Sequence, residues 1–317
     1  SSSDWPRAVI AVALTSLLAL LIGVGSERRW NESALALSRR LLDILAYVAI
    51  PLVVFFTVSH LKLTTGLGAG IVFGWTERLV VIGLAWLIGE RLLRLPRSAT
   101  GAIMISVGLA NTGYLGIPLI ALLLGNDSIG LAVAYDTTVT APVALIGGFA
   151  IGAAFGTRAG EGARARTKTF FTRNPALIAL IAAVIAPSWL SPDWARDLAT
   201  LLAVAIAPLG FFAVGVYLMI EHDQEGTRIF PPQLTAPVVT ALALRLLVAP
   251  GVMLGLSTFV IEVPAAFLIQ AAMASGITGL AVGHIFGLDL KIIVGAIAWS
   301  TAIVVVAASV VALAGGL

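Results

Sequence analysis

The sequence predicts an all-α polytopic membrane protein in which ten transmembrane helices form two inverted five-helix repeats. Composition is the first reason: hydrophobic residues make up 59% of the 317 residues and charged residues 11%, with a mean hydropathy of +1.04. A soluble domain carries about 25% charged residues. The second reason is that apolar runs of about 18 or more residues, long enough to cross a bilayer as a helix, recur along the chain. The third is an internal repeat.

Ten apolar segments are predicted to span the membrane as helices, because every backbone polar group in hydrocarbon needs a partner within the protein. The period-two alternation of a membrane β-barrel is absent from the sequence. The connecting loops are short and leave no room for a soluble domain. The predicted spans cover residues 8–25, 38–59, 67–93, 98–124, 128–156, 174–190, 197–220, 234–259, 263–286 and 290–315.

The distribution of basic residues predicts the orientation of the chain. The loops after spans 1, 3, 5, 7 and 9 hold 14 of the 19 Lys and Arg residues, whereas the opposite side holds Arg7, Lys62 and Arg196. Cytoplasmic loops carry the excess of Lys and Arg. We therefore expect a bacterial inner membrane protein with both termini outside and the longest polar loop, 156–174, in the cytoplasm. The same placement explains the pI of about 9.6 without a nucleic acid partner.

The repeats are predicted to cover 1–157 and 174–317, joined by a cytoplasmic linker at 158–173. The segment "LAYVAIPLVVFF" (45–56) resembles "LAVAIAPLGFFA" (202–213) at an offset of 157. An odd number of spans per repeat inverts the second repeat, a common transporter plan in which the substrate site lies near the midplane. The matching pairs are Leu45 and Leu202, Ala46 and Ala203, Pro51 and Pro208, Leu52 and Leu209, and Phe55 and Phe212.

Span 4, "TGAIMISVGLANTGYLGIPLIALLL", is predicted to unwind at its centre. Pro118 lacks a backbone N–H, and Gly113 and Gly116 leave the backbone unshielded. Irregular backbone at this depth lines a cavity or packs on protein. A half-helix N-terminus suits an anion. The alternative is a packing kink, since small residues let membrane helices approach closely. The candidate substrate-binding residues here are Asn111, Thr112, Gly113, Tyr114 and Pro118.

Span 9, "FLIQAAMASGITGLAVGHIFGLD", is the corresponding segment of the second repeat and also has a small, polar centre. If the repeats are inverted, spans 4 and 9 cross near the midplane. Ser275, Gly276 and Thr278 are then expected to contribute to the same site, with Ser275 and Thr278 facing Asn111 and Thr112.

Charged residues within predicted spans are functional candidates because a charge in the membrane is costly. Asp136 in span 5 is the first candidate for a proton carrier or coupling residue. Glu77 and Arg78 in span 3 are expected to pair with other charges, and Arg245 holds a comparable place in span 8. For Arg78 and Arg245, the alternatives are a structural cation bonded to helix-end carbonyls and a side chain that extends to the interface.

The motifs together resemble the auxin efflux carrier family of membrane transporters over nearly the whole chain. The similar segments are "NTGYLGIPL" followed by "GND", then "NPALIALI", "APLGFFAVGVYL" and "RLLVAP". The resemblance implies two inverted five-helix repeats, crossing broken helices at spans 4 and 9, and a supporting scaffold domain, as in the similar bile acid sodium symporters. It maps the family's crossover Asn and Pro to Asn111 and Pro118. The family usually has Pro where this chain has Ala274, so span 9 either loosens at Ser275 and Gly276 or stays straighter.

These observations predict a secondary transporter for small organic anions, either auxin-like carboxylates or dicarboxylates, that works by an elevator-type or rocking alternating-access mechanism. The alternatives are a sodium-coupled symporter of the bile acid type, a membrane sensor that binds without transport and, more remotely, an intramembrane enzyme. The chain has no HExxH helix, GxSxG elbow, P-loop or cysteine, so we expect neither enzymatic activity nor a cofactor or metal. Small residues on the scaffold helices would permit a homodimer.

Overall fold

The computed structural model describes residues 5–59, 64–157, 175–224 and 232–314. These ranges are almost entirely helical and contain no β-strand. The predicted linker at 158–173 lies outside them. The helices before residue 157 are α1 (Trp5–Trp30), α2 (Glu32–Ile44), α3 (Ile50–Val58), α4 (Thr65–Leu87), α5 (Arg97–Gly108), α6 (Ile117–Leu124), α7 (Ile129–Tyr135) and α8 (Phe149–Phe155).

The later part of the chain is built in the same way. Its helices are α9 (Pro175–Ile185), α10 (Asp193–Gln224), α11 (Ala236–Ala243), α12 (Ala249–Phe259), α13 (Ala265–Ala271), α14 (Thr278–Phe286) and α15 (Leu290–Ala314). Several helices are joined by short π-helical turns, which often occur at functional sites. Three of these turns contain predicted site residues: Thr112–Gly116, Asp136–Thr140 and Leu244–Val248.

Four helical stretches of the described residues are long and apolar enough to cross a bilayer, which supports the prediction of an α-helical membrane protein. They are 21 to 28 residues long, and about 20 residues suffice to cross the hydrocarbon core. They overlap predicted spans 3, 7, 8 and 10. Large apolar side chains such as Leu79 and Leu247 are exposed on them, as expected of a surface that faces lipid. The stretches are Thr65–Leu92, Asp193–Ala213, Ala236–Phe259 and Leu290–Val311.

Helices α1 and α10 approach each other so closely that their backbones touch. A Cβ added to Gly23 would lie 2.2 Å from the carbonyl oxygen of Phe212, and one added to Gly215 would lie 2.1 Å from that of Leu20. Small residues at such contacts are typical of membrane helices, because the gain comes from close packing rather than from leaving water. These two helices therefore form one tightly packed pair.

Two helices are interrupted in the predicted spans 4 and 9. Helix α5 ends at Gly108 and α6 begins at Ile117, while α13 ends at Ala271 and α14 begins at Thr278. Pro118 lies in the first turn of α6, where its missing N–H costs nothing. The second interruption occurs without a proline at position 274, so the helix is broken even though the sequence departs from the family pattern there.

Candidate functional site

The two interrupted segments meet and are joined by backbone hydrogen bonds, at a point that we call the crossing. Ala110 and Ser275 form an isolated antiparallel bridge. In it, the N–H of Asn111 donates to the carbonyl of Ala274 at 2.8 Å and the N–H of Gly276 donates to that of Leu109 at 2.6 Å. Irregular backbone is tolerated inside a membrane protein only when its polar groups find such partners. The crossing is therefore the best candidate for a binding site.

Arg245 binds the carbonyl ends of both interrupted helices. It lies in the π-helical turn between α11 and α12 and is fully buried. Its Nε donates to the Met273 carbonyl at 2.8 Å, its Nη1 donates to the Val107 carbonyl at 3.0 Å, and its Nη2 donates to the Ala271 carbonyl. The C-terminal end of a helix carries partial negative charge. The guanidinium thus neutralises two helix ends at once.

Glu77 on α4 completes a buried charge cluster with Arg245 and Arg78. Its Oε1 lies 3.3 Å from Arg245 Nη1 and 3.1 Å from Arg78 Nη1, and its Oε2 accepts a hydrogen bond from the Tyr135 hydroxyl at 3.4 Å. Both ion pairs are fully shielded from solvent. A buried ion pair is tolerated when hydrogen bonds satisfy its members. Glu77 and Arg245 meet this condition among the described residues.

Arg78, unlike Glu77 and Arg245, is not fully hydrogen-bonded. Its Nε and Nη2 are buried and have no hydrogen-bond partner among the described residues. Its guanidinium carbon lies 6.0 Å from the centre of the Tyr135 ring, and the side chain interacts electrostatically with Asp136. Arg78 therefore has spare hydrogen-bond donors beside the crossing.

Asp136 lies beside the unwound chain of span 4. The Thr112 hydroxyl donates a short hydrogen bond to Asp136 Oδ1. A Cβ on Gly113 would lie 3.5 Å from the same oxygen, which is an ordinary van der Waals contact, so the carboxylate lies directly beside the backbone here. Asp136, Gly113 and Tyr114 are half-buried, whereas Asn111 and Thr112 are buried. Asp136 is therefore less enclosed than Asn111 and Thr112 at the crossing.

Gln270 on α13 holds the unwound segment in place. It is not among the site residues predicted from the sequence. Its Nε2 donates to the carbonyls of Thr112, at 3.3 Å, and Ala132, at 3.0 Å. A Cβ on Gly116 would lie 2.1 Å from its Oε1, so a larger residue there would push the Gln270 amide out of its place. A fully buried amide within an apolar stretch was a signal that could have singled it out.

Two predicted residues present polar groups without partners at the crossing. Asn111 Nδ2 and Ser275 Oγ are buried and have no hydrogen-bond partner among the described residues. The backbone of Asn111 is already used, because its carbonyl accepts from the N–H of Gly116 at 3.0 Å. The backbone N–H of Ser275 donates to Ser300 Oγ at 3.0 Å, a second contact that the sequence did not indicate. Only the side chains remain available to a ligand.

The other predicted residues lie around this centre. Pro118 is buried in α6, and Thr278 begins α14 with an exposed side chain. Tyr114 packs against α10, where a Cβ on Gly210 would lie 2.5 Å from the ring. Among the described residues, no hydrogen bond joins Thr278 to Asn111 or Thr112, so not all the candidates are in direct contact.

A cavity of about 800 Å³ opens at the predicted outer ends of the helices. Arg196 of α10 spans part of it, with ion-pair distances of 3.4 Å to Asp127 and 3.7 Å to Asp193. Leu131 of α7 lines the cavity one and a half turns before Asp136. The cavity is lined by Thr57, Thr64, Asn126, Asp127, Leu131, Asp193, Arg196, Asp197, Thr200 and Pro264.

No protein-family model matches the chain, and no curated protein matches it significantly. Among the described residues, no group of three or more His, Cys, Asp or Glu side chains could hold a metal ion.

Proposed function

We propose that the protein is a secondary transporter of small organic anions, of the type found in the auxin efflux carrier family, with ten spans in two inverted repeats. The observation that carries the proposal is the buried, unpartnered Asn111 Nδ2 at the point where two interrupted helices cross. A buried donor without a partner is costly, and a ligand that accepts its hydrogen bond would remove that cost.

The substrate carboxylate binds at the crossing. Asn111 donates from its amide, and Ser275 donates from its hydroxyl. The segment after Asn111 supplies the N-terminal end of the α6 helix, whose partial positive charge favours an anion. Such a site holds an anion without a fixed cation in direct contact, so the substrate can also be released.

Sodium coupling is the weaker alternative. In sodium-coupled carriers, unwound carbonyls and half-helix C-terminal ends coordinate the ion. Here the carbonyls of Val107, Ala271 and Met273 are bonded to Arg245. The arginine already fills the role that a bound cation would have. A sensor that binds the anion without moving it is a further alternative, and only measured transport excludes it.

Transport proceeds by alternating access of an elevator or rocking type across the bacterial inner membrane, with the loop 156–174 in the cytoplasm. The α1–α10 pair supplies a scaffold, and its outer surface would form a homodimer contact. Tyr114, packed on Gly210, lies where the crossing meets this scaffold. The outer cavity, lined by residues of both α7 and α10, marks the outer end of the path.

The test is flux in proteoliposomes with labelled acetate, malonate, benzoate and indole-3-acetate, with and without imposed proton and sodium gradients. Asn111→Ala is expected to weaken binding by about 1.5–3 kcal/mol, the worth of a hydrogen bond to a charged group. This corresponds to a loss in affinity of about 10- to 100-fold. Gln233→Ala, which removes an exposed amide outside the outer cavity, is the matched control. Absence of flux for every carboxylate, or equal affinity in folded Asn111→Ala, would contradict the proposal.

A further inference from the structure

The ionisable groups at the crossing cancel in charge. Glu77 and Asp136 are acidic, and Arg78 and Arg245 are basic. Two elements packed on the Asp136–Thr140 turn supply its titratable neighbours: α4 supplies Glu77 and Arg78, and the Thr112–Gly116 turn supplies Tyr114. Tyr135 precedes the turn in the same span, and neither α9 nor the Val143–Gly148 turn carries a titratable side chain. With its carboxylates ionised, the empty site is neutral.

A carboxylate bound beside Asn111 breaks this balance. It brings one negative charge to a position next to Thr112, whose hydroxyl is bonded to Asp136. When two carboxylates share a poorly solvated site, ionisation of both costs much free energy, and one of them binds a proton. Arg245 cannot turn toward the added charge, because it is bonded to three carbonyls and Glu77. Arg78 keeps spare donors, but its positive charge is already counted in the neutral balance of the site and is paired with Glu77.

Asp136, rather than Glu77, is suited to bind that proton. Glu77 is fully buried and contacts two guanidinium groups and the Tyr135 hydroxyl. Asp136 is half-buried and has no ion pair within 4.0 Å among the described residues, where its side chain accepts one hydrogen bond, from Thr112. A proton can reach Asp136 from water more readily than it can reach Glu77. Protonation of Asp136 also breaks no ion pair, whereas protonation of Glu77 would weaken two.

We propose that each substrate carboxylate crosses the membrane together with one proton, which is carried on Asp136. This inference rests on the proposed function and adds the stoichiometry of the same site. A proton from water forms an O–H bond on the Asp136 carboxylate, and the same bond breaks when the proton is released on the other side. No other covalent bond changes.

Thr112 links substrate binding to the protonation of Asp136. Its hydroxyl proton now points to Asp136 Oδ1. A hydroxyl both donates and accepts, and its hydrogen can rotate. Once Asp136 is protonated, the acid donates to Thr112 Oγ1, and the Thr112 hydroxyl turns its hydrogen toward the substrate. Protonation thus removes a repulsive charge and adds a donor at the same site.

The experiment measures proton uptake on binding, with purified protein in weakly buffered solution at pH 7.5 and the carboxylate that gives the largest flux in the panel. Wild type is expected to take up close to one proton per monocarboxylate bound. Folded Asp136→Asn is expected to bind without proton uptake. Asp43→Asn, which neutralises an exposed carboxylate on α2, is the matched control and is expected to behave as wild type.

Flux gives an independent readout. Wild-type flux of a monocarboxylate is expected to be electroneutral and to rise when the side of uptake is acidified, whereas flux by Asp136→Asn is expected to follow an imposed potential and to ignore pH. If wild type binds the carboxylate without proton uptake and its flux follows the potential, the stoichiometry is wrong while the proposed function stands. If no carboxylate is transported, the proposed function itself fails. The wild-type measurements decide the matter even if Asp136→Asn does not fold.

Discussion

The backbone N–H of Asn111 donates to the carbonyl of Ala274 at 2.8 Å, which joins the centres of two helices separated by more than 160 residues of sequence. The bond uses the carbonyl of residue 274, and its N–H forms no backbone hydrogen bond within the described part of the chain. A proline at this position would therefore leave the bond intact. What the crossing does require is Gly276, because a Cβ there would lie 2.9 Å from the carbonyl oxygen of Ala110.

Gly276→Ala is therefore expected to destabilise the protein by about 1–3 kcal/mol, the usual cost of overpacking a close contact. Gly255→Ala, in α12, is the control, since a Cβ there meets nothing within 4 Å. Thermal unfolding of both variants in the same detergent checks the expectation. Equal midpoints for the two variants would show that the crossing can open by a few tenths of an ångström at little cost.

Gln270→Leu is expected to lower the free energy of unfolding by roughly 1–3 kcal/mol, because two buried hydrogen bonds are lost. It also releases the carbonyl of Thr112 and should weaken carboxylate affinity, although Gln270 does not contact the substrate. Gln233→Leu, at an exposed position, controls for the change of side chain. Unfolding in detergent and equilibrium binding are the two measurements. An unchanged affinity in a destabilised Gln270→Leu would limit its role to the fold.

Arg245→Ala is expected to cost about 3–5 kcal/mol, because it leaves buried Glu77 with one fewer cationic partner. Arg245→Lys should recover only part of this, since an ammonium lacks the planar fork that reaches separate acceptors. The double change Glu77→Gln with Arg245→Met should be milder than Arg245→Ala alone. Comparison of the three midpoints of thermal unfolding is the measurement. A fully stable Arg245→Lys would mean that charge alone, and not the contacts to three carbonyls, matters here.

Introduced cysteines can test the proposed orientation, because the chain has none of its own. In spheroplasts, an impermeant maleimide is expected to label Asn126→Cys. Thr167→Cys, in the basic loop 156–174, should react only after the membrane is opened, as the positive-inside rule predicts. Labelling of Thr167→Cys in intact spheroplasts would invert the topology.

The part of the site that sequence could predict is the part encoded by neighbouring residues. Asn111, Gly113, Gly116 and Pro118 combine helix breakers with a polar group in one apolar stretch, and the helix is interrupted there. Asp136 stands out because a charge in such surroundings is rare, and the structure brings it beside Thr112.

What the sequence could not predict depends on contacts between distant residues. Glu77 and Arg245 are 168 positions apart, and neither neighbourhood indicates the other as a partner. Ser300 contacts the N–H of Ser275 from another helix, where a lone serine looks like a small packing residue. Gln270 lies in a span whose glycines and hydroxyl-bearing residues are the more obvious sequence signals, so its amide does not stand out.

The contacts of Arg245 have a mechanical consequence. One side chain ties α4, through Glu77, to the ends of α5 and α13, so the crossing holds its shape without help from a ligand. A site assembled beforehand needs little further ordering when a ligand arrives. In a cycle of the proposed elevator type, the slow event is then expected to be the movement of this rigid body through lipid. A thicker or thinner bilayer, which changes the cost of hydrophobic mismatch, should alter maximal flux and leave affinity nearly unchanged.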